Sequence, residues 1–188
     1  MADILDLPEV RSRVSRLSVD FYHQLNELHP ELPRTELIRG IIIQKMPKSP
    51  LHASIMTLLV NLLLPRVLSG FLLRIEHPLT LEDSEPEPDF AVVRGAVRDF
   101  TQEHPTSAEL VVEVAVTSLA LDRENASLYA EAGVAEYWIV LALRQEVEVY
   151  RHPVDGVYAE KRLYTREETL TCESVPGILL EVRELFPS

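Results

Sequence analysis

The chain has 188 residues, 46% of them hydrophobic, and a formal net charge of −12 at pH 7. This length and apolar content suit a single compact domain with a sizeable core. A chain this acidic has no overall electrostatic attraction to nucleic acid, so a DNA-binding surface would need local arginine clusters or metal ions. The basic residues are fifteen arginines and only three lysines, Lys45, Lys48 and Lys161.

The cysteine content and the apolar segments restrict where the protein works. Cys172 is the only cysteine, which excludes an internal disulfide and fits a reducing compartment. A lone cysteine of this kind is expected to be a small buried residue rather than a nucleophile. The chain shows no signal-peptide pattern, and its most apolar stretch, residues 55–64, is too short to span a bilayer. We therefore expect a cytoplasmic protein without a membrane-spanning helix.

The first elements are predicted from caps and breakers. Residues 1–17 mix acids with arginines and are expected to form an arm or a short helix, ahead of one domain over residues 18–188. Ser18 is predicted to cap a helix that Pro30 ends. The apolar residues of this helix, at helical spacing, are Phe21, Leu25 and Leu28. A β-branched run at residues 41–45 predicts a strand, with Gly40 at a turn or bulge before it.

The remaining elements alternate between strands and helices. The helices are predicted at 51–68 and 122–132, with a short one near the end of 178–186. Strands are predicted at 71–75, 90–93, 110–116 and 136–140, followed by a hairpin of 146–151 and 157–164 around Asp155-Gly156. This order predicts an α/β domain, a mixed β-sheet flanked by helices with an added β-hairpin.

Two of the predicted strands carry a carboxylate in an apolar setting. Asp89 precedes the strand at 90–93, and Glu113 lies within a valine-rich strand. The valines around Glu113 are Val111, Val112, Val114 and Val116. A strand that is apolar on both faces is expected to be covered on both sides. An ionised carboxylate there is costly unless it is paired, hydrogen-bonded or bound to a metal, so Glu113 points to a site.

Each carboxylate also has a simpler explanation. Glu113 could lie at a strand end, with its head in water or paired with an arginine. Asp89 closes a run of five acids in residues 82–89, and such a run is usually a solvated loop. In favour of a site, neighbouring strands lie about 4.8 Å apart, so two carboxylates on one face can share an ion. Mg²⁺ favours one or two carboxylates with waters and a substrate phosphate.

The residues around the two carboxylates resemble a known family, the Uma-type restriction endonucleases of the PD-(D/E)xK nuclease superfamily. The segments that carry the resemblance are Pro88-Asp89, Glu113-Val114-Ala115, the YAEAGV and EYWIV block of residues 129–140, residues 36–40, 46–52 and 147–150. The block at 129–140 is the most specific of these. The resemblance covers roughly residues 18 to 185.

The resemblance implies a restriction-endonuclease-like fold and a site that binds a divalent metal. Asp89 and Glu113 would ligate Mg²⁺ or Mn²⁺, and Glu36 would be a further acid of the site. His52 would lie close by, although a helix-terminal or solvent-facing histidine is the simpler interpretation of that residue. The implied substrate is DNA, and the protein is expected to act as a homodimer.

The sequence departs from the family pattern at the lysine. The superfamily motif places a lysine two residues after Glu113, where this chain has Ala115. In the Uma-type family the lysine typically lies on the next helix, at the position of Asn125. Asparagine can hydrogen-bond a water or a phosphate oxygen but cannot supply positive charge. Arg123 is predicted to point about 200° around the helix from Asn125, which leaves Arg144 and Arg151 as candidate replacements.

Three functions therefore compete. The first is a metal-dependent DNA endonuclease with Asn125 at the lysine position, and the second is a catalytically inactive nuclease-fold module for binding or assembly. The third is a structural domain with an acidic surface and no role with nucleic acid. Tyr129, Tyr137 and Trp138 could stack on bases, but their apolar surroundings favour core packing.

Overall fold

The computed structural model describes residues 7–11, 13–31 and 33–187, which form two compact units. The first unit contains the described residues up to Lys45 and residues Glu82–Pro86. The second unit contains Met46–Leu81 and the chain from Glu87 onward. Among the described residues, no helix is long and apolar enough to cross a membrane. The predicted division into an arm and one domain stays a prediction.

The first unit is built on a helix and a hairpin. Helix α1 (Pro8–Arg11) is a single turn, and helix α2 (Val19–Leu28) begins as predicted, with the Ser18 hydroxyl accepting a hydrogen bond from the Phe21 N–H at 3.2 Å. Strands β1 (Thr35–Ile38) and β2 (Ile41–Gln44) pair antiparallel. Helix α2 packs through Val19 and Tyr22 against Leu37. Phe21 and Leu28 of the same helix are exposed.

The turn between β1 and β2 explains the glycine at its tip. Arg39 and Gly40 both adopt positive φ angles, of 52° and 73°, which is the geometry of a tight hairpin turn. A side chain at Gly40 would also collide with the segment before α2, because its Cβ would lie 2.6 Å from Arg16 Cβ. Strand β1 was not predicted, since its four residues contain too few β-branched side chains to show a strand pattern.

The second unit contains one six-stranded mixed sheet. Its strands are β3 (Phe71–Ile75), β4 (Phe90–Arg94), β5 (Leu110–Ala115), β6 (Glu136–Leu141), β7 (Glu146–Val154) and β8 (Val157–Tyr164). They lie side by side in chain order; β5 and β6 are parallel and all other neighbours are antiparallel. The β7–β8 hairpin turns at Asp155-Gly156 as predicted, and both residues have positive φ. A small pair, β9 (Thr169–Thr171) and β10 (Leu179–Glu181), was not predicted.

Two helices cover the faces of this sheet. Helix α3 (Pro50–Leu63) packs Ile55 and Leu59 against one face, which includes Val112 and Val114 of β5. Helix α4 (Leu119–Glu131) packs on β5 to β8, and its Tyr129 ring lies 4.9 Å from that of Tyr137, between ring centroids. Strand β5 is thus covered on both faces, as its valines predict.

The helix ends differ from the predicted ones by a few residues. Helix α3 ends at Leu63 rather than at residue 68, because Pro65 turns the chain into a short 3₁₀ segment, Leu64–Arg66. Helix α4 begins at Leu119, three residues before the predicted start, and ends at Glu131; Gly133, with a φ of 71°, follows it in the predicted C′ position. The predicted class, a mixed α/β fold with a helix-flanked sheet, is confirmed.

Candidate active site

The sheet register brings the two predicted carboxylates together. Phe90 of β4 lies opposite Val112 of β5, so Asp89 and Glu113 come next in the antiparallel pair. The Asp89 N–H donates a hydrogen bond to Glu113 Oε2 at 3.1 Å. Pro88, which has no N–H, lies before β4 begins at Phe90, so the sheet loses no hydrogen bond at the proline. The two carboxylates are therefore held at the same point of the sheet.

The Asp89 carboxylate is mostly buried and surrounded by hydrogen-bond donors. Its Oδ2 atom accepts the Val114 N–H at 2.9 Å and lies 3.0 Å from His52 Nε2. Its Oδ1 atom accepts a hydrogen bond from Lys48 Nζ at 3.0 Å. Burial alone raises the pKa of Asp89, but the hydrogen bond and charge of His52, the charge of Lys48 and the Val114 N–H together lower the pKa below its ordinary value. The carboxylate is consequently ionised near neutral pH.

Lys48 is a site residue that the sequence analysis did not identify. It lies in the loop before α3, and its ammonium also pairs with Glu76, the residue after β3. The lysine side chain is 31% exposed, and the Glu76 side chain is 33% exposed. The only sequence signals were the scarcity of lysine and the position of Lys48 within the family-like segment at 46–52. The contact spans 41 residues of chain, so no local pattern predicts it.

Helix α4 contributes a tyrosine to the second carboxylate. The Tyr129 hydroxyl donates to Glu113 Oε1 at 3.1 Å, and the tyrosine ring is fully buried. Tyr137 and Trp138 are also fully buried, which confirms core packing for all three aromatic residues. Tyr129 therefore acts as a packed support that orients Glu113.

Asn125 lies on α4, one helical turn before Tyr129, and is buried on the same helix face. The hydrogen bonds described for the carboxylate pair come from the Asp89 N–H, the Val114 N–H and Tyr129, and a role for Asn125 stays a prediction. Helix α4 packs on β5, and Tyr129 of the same helix contacts Glu113.

The three arginines considered as replacements for the lysine pair elsewhere. Arg123 binds Glu148, with Nε 3.1 Å from Oε2. Arg144 pairs with Glu146 at 2.7 Å. Arg151 is buried against Glu136, at 3.0 Å. Each guanidinium thus pairs with a carboxylate other than Asp89 and Glu113.

The two other predicted residues lie in different units. His52 is in the second unit and contacts Asp89 directly; its Nδ1 atom is buried without a hydrogen-bond partner among the described residues. Ser49 caps the first turn of α3 and so fixes the backbone that carries His52. Glu36 belongs to the first unit, where it accepts a hydrogen bond from Lys45 at 2.7 Å. Its role in a site stays a prediction.

Comparison with known proteins assigns the family. The sequence model of the Uma2 family, described as "Putative restriction endonuclease", matches residues 19–183. The chain belongs to the Uma2 family. A crystal structure titled as a putative nuclease of DUF820, from Anabaena variabilis, is similar in fold, with a TM-score of 0.67 and 18% identity. The match covers 85% of this chain and 96% of the other. No curated protein sequence matches the chain significantly.

The Uma2 family resemblance implies a divalent metal, and the donor set can be compared with that requirement. Among residues 7–11, 13–31 and 33–187, no group of three or more histidine, cysteine or acidic side chains is placed to hold an ion. Mg²⁺ does not need such a cage, because one or two carboxylates with waters and a phosphate suffice. Asp89 Oδ1 accepts one hydrogen bond, from Lys48, and a carboxylate oxygen can accept two. The residues therefore fit Mg²⁺ or Mn²⁺ and do not resemble a zinc site.

Proposed function

We propose that this protein is a metal-dependent endonuclease that hydrolyses phosphodiester bonds in DNA. The observation that carries the proposal is the position of Asp89 and Glu113 opposite each other where β4 begins beside β5, with the Asp89 N–H bonded to the Glu113 carboxylate. Membership of the Uma2 family and the nuclease-like fold support the same reaction class. Such a pair, held in a partly buried position, is the arrangement that Mg²⁺ or Mn²⁺ favours in sites for phosphate esters.

The residues of the chain prepare this pair for binding. His52 and the Val114 N–H hold the Asp89 carboxylate in one orientation, and Tyr129 holds Glu113. A bound Mg²⁺ or Mn²⁺ ion would supply charge neutralisation at the phosphate and an oriented water. Glu36 is proposed as a further acid that assists with water or a second ion. Asn125 is proposed to hydrogen-bond a water or a phosphate oxygen.

A plasmid-nicking assay tests the proposal. Supercoiled DNA is incubated with the wild-type protein in Mg²⁺, in Mn²⁺ and in a chelator, and then with Asp89→Ala and Glu113→Ala. We expect metal-dependent nicking by the wild type and none by either variant. Glu109→Gln is a matched control, because Glu109 lies just before β5 but pairs with Arg94 instead of the site. Absence of metal-stimulated nicking by the wild type would contradict the proposal.

Thermal unfolding tests metal binding separately from cleavage. A ligand that binds only the folded state at a hundredfold excess over its Kd stabilises the protein by about 2.7 kcal/mol. We expect Mn²⁺ to raise the Tm of the wild type and to leave that of Glu113→Ala unchanged. An equal rise in both proteins would place the metal elsewhere.

A second candidate function is a nuclease-fold module that binds or assembles without cleaving. The observation that favours it is Asn125, an uncharged residue at the family's lysine position. If the wild type does not nick DNA and Asn125→Lys does, the site is otherwise intact and the natural protein is inactive. We also propose a homodimer for either function. Sedimentation equilibrium of the wild-type protein tests this by giving the mass of the particle in solution, which should be twice that of one chain.

A further inference from the structure

We infer that Lys48 supplies the positive charge that this site lacks at Asn125. The inference rests on the proposed function, because a cation matters most where negative charge develops on a phosphate. Lys48 Nζ lies 3.0 Å from Asp89 Oδ1, on the carboxylate that belongs to the candidate metal pair. The charge therefore reaches the site from the loop before α3, on a different element from the family's helix position.

The backbone that carries Lys48 is anchored next to the site. Ser49 follows it directly and caps α3 by accepting the His52 N–H at 3.2 Å. His52, in the first turn of the same helix, contacts the other oxygen of Asp89. Lys48 and His52 thus approach a single carboxylate from one short segment. The backbone at Lys48 is therefore anchored, while the ammonium can move on its flexible four-carbon side chain.

Glu76 gives the lysine a second partner. The Lys48 ammonium lies between Glu76 and Asp89 and pairs with both. When Asp89 is engaged by a metal ion, Glu76 can keep the ammonium beside the site, where it can face a phosphate oxygen. Glu76 is therefore a positioning residue in this arrangement, and Lys48 is the catalytic cation.

The other cations discussed above are committed to carboxylates outside the pair. The three arginines bind Glu148, Glu146 and Glu136 respectively. The Lys48 side chain is 31% exposed, so a substrate can reach it, whereas Arg151 is 5% exposed. Ion pairs that are partly open to water contribute little to folding. Fold stability alone is accordingly a weak reason for a lysine at this position.

The test compares Lys48→Met, which removes the charge at similar length, with Lys48→Arg, which keeps it. Lys161→Met is the matched control, because Lys161 also pairs with a carboxylate, Glu148, on the far hairpin of the same unit. At saturating Mn²⁺, we expect Lys48→Met to lower the nicking rate by about 10²–10³-fold. We expect Lys48→Arg to recover part of the rate and Lys161→Met to match the wild type.

Mn²⁺ binding, measured by electron paramagnetic resonance, separates a catalytic role from a structural one. In Lys48→Met we expect the Mn²⁺ Kd to stay the same or to decrease, because the metal ion loses a cation that competes for Asp89. If Lys48→Met retains nicking within threefold, or loses Mn²⁺ binding together with nicking, the assignment of Lys48 is overturned while the proposed function stands. If the wild type itself shows no metal-dependent nicking, both are overturned.

Discussion

Two buried carboxylates of the second unit, Asp89 and Glu136, have similar partners but different surroundings. Glu136 is 1% exposed at its side chain and accepts hydrogen bonds from Arg151 at 3.0 Å, from the Trp138 indole at 2.7 Å and from the Glu173 N–H at 2.8 Å. Asp89 has a comparable set of donors, yet its cation Lys48 is 31% exposed. Glu136 is enclosed with its arginine, whereas the lysine that pairs with Asp89 is partly open to water.

This difference separates a structural ion pair from a candidate reactive one. Hydrogen-bond donors compensate for burial at both carboxylates, so a carboxylate in an apolar region does not by itself identify a site. The two carboxylates differ in how easily a ligand can reach them. A ligand can replace the partly exposed Lys48 ammonium on Asp89, but it cannot reach Glu136 without unfolding the surrounding chain. Substitutions at the two positions should therefore affect different properties of the protein.

The largest expected effect is that of Asp89→Asn on cleavage. The amide keeps the shape of the side chain but loses the negative charge, and we expect the nicking rate to fall by about 10³-fold. The free energy of unfolding should fall less than in Glu136→Ala, because the amide oxygen can still accept the Val114 N–H and the lost Lys48 pair is partly open to water. Plasmid nicking and urea unfolding of the same preparation measure the two properties. An unstable variant that still cleaves would invalidate the comparison with Glu136.

Glu136→Ala should have the next largest effect, and it should act on stability. The substitution leaves the buried Arg151 guanidinium with two more exposed carboxylates, Glu173 at 3.1 Å and Glu160 at 3.7 Å. Loss of one partner of a buried pair costs about 3 kcal/mol. We expect a lower urea midpoint but a preserved rise in Tm with Mn²⁺. A variant with wild-type stability would show that the enclosed pair contributes nothing to folding.

A smaller effect is expected for Tyr129→Phe, which keeps the buried ring and removes the hydroxyl that contacts Glu113. Loss of a group that orients a metal ligand weakens metal affinity by about tenfold or more. We expect a Mn²⁺ Kd raised by about tenfold and little change in the packing of α4. Tyr137→Phe is the control, because that hydroxyl donates to the Asp122 carbonyl instead. Equal loss in both variants would point to general loosening of the helix.

The smallest effect concerns Glu148, a third carboxylate of the second unit, and it is an effect of pH on stability. Burial raises its pKa, but hydrogen bonds from Arg123, Tyr150 and Lys161 outweigh burial and lower the pKa to about 2. Because the folded-state pKa lies below the ordinary value of 4.5, this group stabilises the protein above that pH and loses the contribution as pH falls toward about 2. Urea unfolding at a series of acidic pH values should show this loss in the wild type. The slope should be shallower in Glu148→Gln, and an identical slope would contradict the assignment.

The sequence was sufficient for much of the fold and for the carboxylate pair. Strand β5 was recognisable because its valines occupy both faces, and the Asp155-Gly156 turn has a local signature. Asp89 and Glu113 were identifiable as charges next to apolar strands. Each of these inferences depends on residues close together in the chain.

Features that depend on distant residues could not be read in the same way. Lys48 reaches Asp89 across 41 residues, and its loop has no periodic pattern that indicates direction. The buried face of α2 likewise depends on distant residues. The spacing of Phe21 and Leu28 is helical, but β1 and β2 select the face that carries Val19 and Tyr22. Such choices are made by tertiary packing, which single-sequence periodicity does not contain.

The burial of Cys172 has a practical consequence for labelling experiments. The thiol lies beside Glu136, and burial with that negative charge raises the pKa of Cys172 to about 12. Thiol reagents react with the thiolate, so this native cysteine should remain unmodified at neutral pH. A cysteine introduced at an exposed position would then be the single reactive thiol of the chain. A fluorophore or spin probe could be attached there without first replacing the native residue.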